Sequence, residues 1–331
     1  MYEKIRKLSS VKRQILWAVC LLFALLLVAC GEDADLSAAA QKNSSAYTDA
    51  RVTNEESGAD STVADSDEQN DENESGDESI TAGSEAQNSE IDTDENPASE
   101  SSDTVTEITF ATFNIKHGAE GLENIAGVIS SVSPDIIGLE EVDVGCERSG
   151  YADECAELAR FAGYDYYAFA RAIRLGSGEY GTAILSRYPI ESFEVIPLES
   201  GRGEARSVGH ATVDVGGTEL DVFVTHLSFE DREARKSQIE TISTLLADHE
   251  RYALLGDLNS FDLEEIYGLG GFHYVNSPDR KYDTFRRFDG YAPDNIVVSE
   301  GFTELESGVY DSEYSDHRLL FASFLIHSFI A

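Results

Sequence analysis

The sequence predicts an α/β (α+β) domain in which two mostly antiparallel β-sheets pack face to face, with helices on their outer sides. Residues 107–331 have an ordinary globular composition and are numerous enough for one domain with a substantial core. Short apolar strands follow one another in hairpin-like succession, and helical patterns separate only some of them. No internal repeat is present. This succession favours two packed sheets over a doubly wound parallel sheet.

Each element has its own signal. Three stretches place apolar residues at helical spacing, and the strands are short apolar or alternating runs separated by turns that contain glycine. The predicted helices are GLENIAGVISSVSP, YADECAELARFAGY and FEDREARKSQIETISTLLADHE. The predicted strands are EITFATFNI, DIIGLEEV, YYAFARAI, GTAILSRYPI, ESFEVIPLE, HATVDV, ELDVFVTHLS, YALLGDLNS, PDNIVVSEG and RLLFASFLI.

Residues 1–29 have the plan of an export signal, with a basic start followed by the apolar run ILWAVCLLFALLLV. The run ends in LVACG, which resembles a bacterial lipoprotein signal. That resemblance implies lipidation of Cys30 after cleavage and a membrane partner for the mature chain. The alternative is an uncleaved anchor helix in which Cys30 is apolar filler. In either case, we expect the rest of the chain to lie outside the cytoplasmic membrane.

Residues 30–106 are rich in Asp, Glu, Ser, Asn, Gly and Ala and poor in large apolar residues. Such a segment cannot bury enough surface to offset the entropy of ordering, so we predict a disordered acidic linker. It contributes about half of the formal net charge of −39. Spacing the domain from a membrane is its simplest role, and cation binding or partner recruitment is the alternative.

The domain itself is also acidic, and it should repel long polyanions unless metal ions or a local basic patch compensate. Nucleic acid is therefore a less favoured partner than a small phosphoester. Cys146 and Cys155 are the two cysteines of the domain. An exported chain permits a disulfide, and we favour a bridge between them over two free thiols. We expect the domain to be a monomer.

Polar side chains repeatedly stand where a predicted strand ends or begins. Each has a structural explanation alone, such as a turn cap or a satisfied histidine, but the set is hard to dismiss because loops at strand ends present catalytic groups. Oxygen ligands without cysteine favour a hard cation, Mg²⁺ before Mn²⁺ or Ca²⁺, and histidines add proton transfer near neutral pH. The set comprises Asn114, Glu141, His226, Asp257, Asn259, Asp316 and His317.

A metal held by carboxylates beside histidines suits the hydrolysis of phosphate esters, because the metal neutralises charge on a phosphoryl oxygen. The chain contains no GxxxxGK[ST] nucleotide loop and no GxSxG nucleophile elbow. These absences weigh against a P-loop nucleotidase and against a serine hydrolase of that type.

Seven segments resemble, in order, the motifs of the endonuclease/exonuclease/phosphatase superfamily: ATFNIKHG, DIIGLEEVD, YGTAILSRYPI, VTHLS, LLGDLNS, PDNIVVSEGF and YSDHRLL. This superfamily includes deoxyribonuclease I, repair nucleases, inositol polyphosphate 5-phosphatases and bacterial sphingomyelinases. The resemblance covers essentially the whole domain. It implies a four-layer α/β sandwich and metal-dependent cleavage of a phosphoester.

The resemblance also implies roles for individual residues. Glu141 matches the principal metal ligand, with Asn114 its neighbour and Asp316 close to the metal. Asp257 and Asn259 match the pair that positions the nucleophile and holds the phosphate or a metal. His226 matches the histidine that contacts the phosphate. His317 matches a general base or transition-state stabiliser, and Asp294 its orienting carboxylate.

Some positions depart from the usual pattern. Glu140 stands where many relatives have Gln, and strand alternation predicts that its side chain points away from that of Glu141. Thr182 replaces a common Asn. Arg148 is either a phosphate or headgroup contact or a surface ion pair. The four histidines that match no motif are interpreted as structural: His210, His249, His273 and His327.

We therefore expect a lipid-anchored, Mg²⁺-dependent hydrolase of small or lipid-headgroup phosphoesters. A surface nuclease is the alternative enzyme, and a basic track beside the cleft would distinguish it. A catalytically inactive binding module is the alternative of another class, and the complete set of polar residues argues against it.

Overall fold

A computed structural model describes residues 105–327 and the strand formed by Val52–Asn54. The predicted signal segment, Cys30 and the rest of the predicted linker lie outside the described residues. Within the described part of the chain, no helix is both long enough and apolar enough to cross a membrane.

The first sheet contains seven strands, whose bounds are Val52–Asn54 (β1), Val105–Asn114 (β2), Ile136–Val144 (β3), Tyr166–Leu175 (β4), Gly178–Ser186 (β5), Phe302–Tyr310 (β12) and Leu319–His327 (β13). Their order in the sheet is β1-β4-β5-β3-β2-β13-β12. The pair β2–β3 is parallel, and the other pairs are antiparallel.

The second sheet contains six strands, with bounds Ile190–Leu198 (β6), Arg206–Val215 (β7), Thr218–His226 (β8), Tyr252–Asp257 (β9), His273–Tyr274 (β10) and Asp294–Val298 (β11). Their order is β10-β11-β9-β8-β7-β6. Here β8–β9 is the parallel pair, and the others are antiparallel.

In the described part of the chain, three α-helices cover the outer faces of the sheets: Leu122–Val132 (α1), Glu154–Ala162 (α2) and Arg232–Ala247 (α3). The side chain of Asp153 caps the start of α2, and that of Asp231 caps the start of α3. Apolar residues of α1 and α2 pack on the first sheet, and those of α3 pack on the second. A third apolar cluster fills the space between the sheets. The predicted four-layer sandwich of two mostly antiparallel sheets is therefore confirmed.

The sequence patterns missed three strands. β12 carries exposed polar residues, including Thr303 and Glu306, at the edge of its sheet, so it lacks a continuous apolar run. β10 is only two residues long. β1 comes from within the predicted linker and pairs antiparallel with β4.

The expected disulfide is not formed, because Cys146 and Cys155 are both buried free thiols. Cys146 Sγ donates to the carbonyl oxygen of Glu179 in β5 at 3.3 Å. Cys155 Sγ lies 3.9 Å from the carbonyl oxygen of Ala168 in β4. Cys146 Sγ also lies 3.7 Å from the carbonyl oxygen of Leu175. The two sulfurs thus contact different backbone carbonyls, and the prediction of a bridge was wrong.

Candidate active site

The register of the second sheet brings three of the predicted residues to one edge. His226 ends β8 and lies opposite Asp257, which ends the parallel strand β9. Asp294 begins β11 and lies opposite Asp257 from the antiparallel side. The carboxyl ends of two parallel strands meet at the same edge, so the sheet itself aligns these side chains.

The first sheet supplies a second group through an irregularity in β3. Asn114 ends β2 and lies opposite Glu140. The pairing of β3 with β5 shifts between Leu139 and Val142, so that Glu140 and Glu141 together oppose a single residue. Glu141 has a φ of 59°, which is unusual for a residue other than glycine. This β-bulge re-aims the side chain of Glu141 towards Asn114.

The bulge overturns the prediction that Glu140 points away from the site. Thr112 and Asn114 are two residues apart on β2 and share one face, and each contacts one of the two glutamates. Thr112 Oγ1 donates to Glu140 Oε1 at 2.7 Å, and Asn114 Nδ2 donates to Glu141 Oε1 at 3.0 Å. Both glutamates therefore lie on the inner face, between the sheets.

Glu140 is fully buried, and its Oε2 has no hydrogen-bond partner. Burial first, and then the charge of Asp294, raise the pKa of the Glu140 carboxyl well above its usual range. Burial thus favours the neutral, protonated form of this carboxyl group. Glu140 thus resembles in charge the glutamine that is common at this position.

Side chains from both sheets approach one carboxylate oxygen of Asp257. Asp257 Oδ2 lies 3.2 Å from Asn114 Nδ2, 3.5 Å from His226 Nε2 and 3.7 Å from His317 Nε2. Burial and the nearby charge of Asp294 raise the pKa of Asp257 to about 7. A carboxyl group with this pKa can accept or release a proton near neutral pH.

His317 forms a buried dyad with Asp294. Its Nδ1 lies 2.9 Å from Asp294 Oδ2 and 3.2 Å from Asp294 Oδ1. Burial alone would lower the pKa of His317, but the carboxylates of Asp294, Asp257 and Glu141 outweigh it and raise the pKa to about 10. His317 is therefore an imidazolium at neutral pH, with Nε2–H directed towards Asp257.

His226 carries the opposite protonation state. Arg206 Nη1 lies 3.1 Å from His226 Nδ1, and because a guanidinium can only donate, Nδ1 accepts and the ring proton lies on Nε2. Burial first, and then the charges of Arg206 and His317, hold the pKa of His226 well below its usual range. The site thus pairs a neutral imidazole with a charged one.

Arg206 was not singled out from the sequence. It is buried, forms an ion pair of 3.0 Å with Glu204, and has an Nε without a hydrogen-bond partner. Most of the predicted site residues stand where a strand ends, whereas Arg206 is the first residue of β7. A charged residue directly before an apolar strand is the signal that could have identified it.

Asn259 closes the loop after β9. It adopts a left-handed conformation with φ of 50°, which an asparagine tolerates better than most residues. Its backbone N–H donates to Asp257 Oδ1 at 3.0 Å, and its Nδ2 donates to the carbonyl oxygen of Leu227 at 2.9 Å. Asn259 therefore fixes the orientation of the Asp257 carboxylate.

Two predicted residues have other partners. Asp316 Oδ2 lies 3.3 Å from Arg287 Nη2, so the carboxylate predicted to approach the metal forms an ion pair with a loop arginine. Arg148 donates two hydrogen bonds to Asp143, of 2.7 and 2.8 Å, and is 41% exposed. The guanidinium group of Arg148 is thus already bound to a carboxylate. The roles of Arg148 and Asp316 stay predictions.

The described residues fit a divalent cation. Three buried carboxyl groups and the half-buried Glu141 lie near one another, with His317 as the protonated partner among the catalytic candidates. Glu140 Oε2 has no hydrogen-bond partner, and after burial the charge of Asp294 contributes to the raised pKa of Asp257. A cation would offset both the unpaired oxygen and this negative charge. Glu141 and Asn114 offer hard oxygen atoms at the edge of these carboxyl groups, the ligand type that Mg²⁺-like cations prefer.

An aromatic surface begins directly beside His317. The ring of Phe285 lies 4.9 Å from the His317 ring, and Tyr291 lies 5.6 Å from Phe285. Phe261 stacks on Tyr291 at 4.0 Å, and Phe288 lies 5.8 Å from Phe285. Phe261 is 63% exposed and Phe288 is 55% exposed, so the surface extends from the site into solvent. We call these four rings the aromatic surface.

Comparisons with known proteins find solved structures of the same fold. A crystal structure described as an endonuclease/exonuclease/phosphatase from Beutenbergia cavernae DSM 12333 superposes with a TM-score of 0.57 at 22% identity, covering 66% of this chain and 72% of that one. The mannosyl-6-phosphatase Bt3783 of Bacteroides thetaiotaomicron VPI-5482 gives 0.54 at 18% identity, with coverages of 66% and 99%. Humanized TDP2 of D. rerio gives 0.52 at 16%, with coverages of 66% and 98%.

At these identities the solved structures support the fold, and the sequence profile supports the family. The profile described as "Endonuclease/Exonuclease/phosphatase family" matches residues 111–317, a span that runs from β2 to His317 and includes the whole cluster around Asp257. The chain therefore belongs to the endonuclease/exonuclease/phosphatase family and is a metal-dependent phosphoric ester hydrolase.

Proposed function

We propose that this protein is a Mg²⁺-dependent hydrolase of a small or lipid-headgroup phosphoester, acting at the cell surface. The observation that carries the proposal is the convergence on Asp257 Oδ2 of Asn114, His226 and His317, at 3.2 to 3.7 Å. Two sheets contribute to this one point, and each contributed group can donate a hydrogen bond to an anionic oxygen.

Glu141 and Asn114 are the residues that would hold the cation. Their oxygen atoms match the preference of Mg²⁺, which binds through one or two carboxylates and keeps several of its waters. When bound, the cation neutralises charge on a phosphoryl oxygen. Asp316 joins this set only if its ion pair with Arg287 opens.

The two histidines receive different tasks from their protonation states. His226 is neutral and directs Nε2–H into the site, so it donates a hydrogen bond to a phosphoryl oxygen. His317 is an imidazolium backed by Asp294, so it stabilises the negative charge that accumulates in the transition state. Asp257, with a pKa of about 7, orients the attacking water and accepts its proton. Asn259 holds Asp257 in that orientation.

The charge around the site favours a small substrate over a long nucleic acid. Arg206, which contacts His226, and Arg148 and Arg287 are each ion-paired with a carboxylate of the chain. Paired guanidinium groups do not form the basic track that a polyanion requires. The acidic composition of the chain acts in the same direction.

The aromatic surface favours a phosphoester with an apolar part. Exposed Phe261 and Phe288 offer apolar area one or two rings away from His317. A lipid whose headgroup enters the site would leave its chains beside these rings. Lipidation of Cys30, if it occurs as proposed, would hold the enzyme close to such a substrate.

The proposal is tested by measuring the release of phosphate or headgroup from bis(p-nitrophenyl) phosphate, sphingomyelin, inositol phosphates and DNA. Each is assayed with Mg²⁺ and with EDTA, for the parent chain, for His317→Ala and for the control His327→Ala. His327 lies at the end of β13, where it contacts Thr303, so this control also removes an imidazole. We expect activity that requires Mg²⁺, is lost in His317→Ala and is retained in His327→Ala.

Activity that survives both EDTA and His317→Ala contradicts the mechanism. Activity on DNA alone would establish the surface nuclease instead. The lipid assignment has its own test: Phe261→Ser with Phe288→Ser should reduce hydrolysis of sphingomyelin in vesicles while sparing bis(p-nitrophenyl) phosphate. Equal losses on both substrates would remove the aromatic surface from substrate binding. Membrane anchoring is tested by the fractionation of Cys30→Ala, which should move the protein from the membrane to the soluble fraction.

A further inference from the structure

A second cluster of metal-binding side chains lies on the helix-facing side of the second sheet. His210 on β7, Asp221 on β8 and His249, just beyond the end of α3, converge there. Asp221 Oδ1 lies 2.7 Å from His210 Nε2, and Asp221 Oδ2 lies 2.7 Å from His249 Nδ1. None of the three belongs to the set around Asp257.

Each of these ligands is held in place by its surroundings. The His210 ring stacks on the buried ring of Phe223 at 4.3 Å and meets the His249 ring edge-on at 4.7 Å. Glu194 Oε1 lies 3.0 Å from His210 Nδ1. A carboxylate on the far nitrogen of a histidine fixes the tautomer that presents the other nitrogen to a metal, and such outer partners accompany most metal-binding histidines.

From this arrangement we propose that His210, Asp221 and His249 form a binding site for Zn²⁺. Their donor atoms lie within 4.8 Å of one another. Ligands of a tetrahedral zinc are about 3.3 Å apart, given bonds of about 2.0 to 2.1 Å, so small side-chain rotations admit the ion. Without a metal, His210 requires a proton on both nitrogens to satisfy two carboxylates, whereas Zn²⁺ takes the place of the proton facing Asp221.

The donor set selects the class of metal. Two imidazoles and one carboxylate suit zinc and neighbouring transition metals, whereas Mg²⁺ and Ca²⁺ prefer oxygen alone. The side chain of His249 is 25% exposed, against 11% for His210, so one side of the cluster opens to solvent. Three protein ligands and an open fourth position leave room for water. The site lies against α3 and ties its end to β7 and β8, so we infer a stabilising role.

The test measures zinc in the full chain, dialysed in excess Mg²⁺ and carrying Glu141→Gln to weaken metal binding at the active site. We expect about one zinc per chain by mass spectrometry and an absorption spectrum of tetrahedral Co²⁺ after substitution. His249→Gln should weaken zinc binding at least 100-fold, and Glu194→Gln about 10- to 100-fold. A hundredfold excess of zinc over its Kd should raise the melting temperature by about 5 °C or more in the parent.

His273→Gln is the matched control, because His273 contacts Glu304 elsewhere in the fold and should leave zinc binding unchanged. Zinc that is absent from the Glu141→Gln chain, or that persists at full stoichiometry in His249→Gln, overturns the proposal. If His249→Gln fails to fold, the Co²⁺ spectrum of the Glu141→Gln chain that keeps His249 decides. Bands of tetrahedral Co²⁺ bound to imidazole support the site, and their absence refutes it.

Discussion

Replacement of Asp294 by asparagine isolates the group that keeps His317 charged. The substitution keeps the size of the side chain and removes its negative charge, at a position that is fully buried and 2.9 Å from His317 Nδ1. In the parent, the site holds His317 as an imidazolium at neutral pH. In the variant, the pKa of His317 should fall, so that the neutral imidazole becomes populated at a lower pH than in the parent.

The size of the effect follows from the raised pKa. A rise from the ordinary value of 6.5 to about 10 corresponds to about 5 kcal/mol in favour of the imidazolium. Several carboxylates share this stabilisation, and Asp294 is the largest contributor that raises the pKa. If about half belongs to Asp294, its loss is worth about 2.5 kcal/mol. The imidazolium then still predominates at pH 7, and the loss in kcat/KM grows with pH towards a limit of about 70-fold, where the parent also begins to lose its proton.

The assay is the pH profile of kcat/KM on bis(p-nitrophenyl) phosphate with saturating Mg²⁺. Because the catalytic form is the protonated one, the loss in Asp294→Asn should grow as the pH rises and shrink under acidic conditions. Asp311→Asn is the control, since the exposed carboxylate of Asp311 pairs with Arg286 and Arg318 and is not among the groups that raise the pKa of His317. A loss that is the same at every pH, or a loss matched by Asp311→Asn, would refute the role given to the dyad.

Three further predictions concern other parts of the domain. Burial raises the pKa of Glu154 from 4.5 to about 8, so the folded state loses stability as the pH rises from 4.5 to 8. The free energy of unfolding of Glu154→Gln should therefore exceed that of the parent by up to about 5 kcal/mol at pH 8 and by nothing at pH 4. A difference in unfolding free energy that does not change with pH contradicts this. Arg206→Met should lower kcat/KM about 10- to 100-fold and raise the pKa of His226, which NMR titration measures. An unchanged titration curve of His226 would count against its contact with Arg206. Gly138→Ala places a Cβ 2.9 Å from the Cβ of Leu255 in the second sheet. It should lower the free energy of unfolding, measured in denaturant titrations, by about 1 to 3 kcal/mol. A neutral effect would show that the sheets can separate locally.

Much of the fold could be predicted because the strands of the sandwich are apolar on at least one face. β12 could not, since its exposed edge position removes the pattern that identifies a strand; only pairing with β13 makes Phe302–Tyr310 extended. β10 is held by two residue pairs with β11, which no local signal specifies. The free thiols of Cys146 and Cys155 depend on tertiary positions that spacing does not encode.

The candidate site was predictable where a side chain stands at the end of a strand. Asn114, His226 and Asp257 are the last residues of β2, β8 and β9, and the strand register brings them together. Arg206 begins its strand, and Glu140 shares a face with Glu141 only because of the bulge, so neither followed from the pattern of strand ends. The cluster of His210, Asp221 and His249 could not be predicted, because its members are distant in sequence and match no motif. His210 and His249 were therefore interpreted as structural residues.

The bulge makes the active site sensitive to the number of residues in β3. Glu140 and Glu141 share one face only because two residues of β3 occupy the space opposite one residue of β5. Deleting either residue would restore plain alternation and keep a single acidic side chain on that face. Substitutions at these positions change one group, but a deletion changes the number of groups. A deletion scan through Ile136–Val144 should therefore show its sharpest loss of activity at this pair, even in variants that still fold.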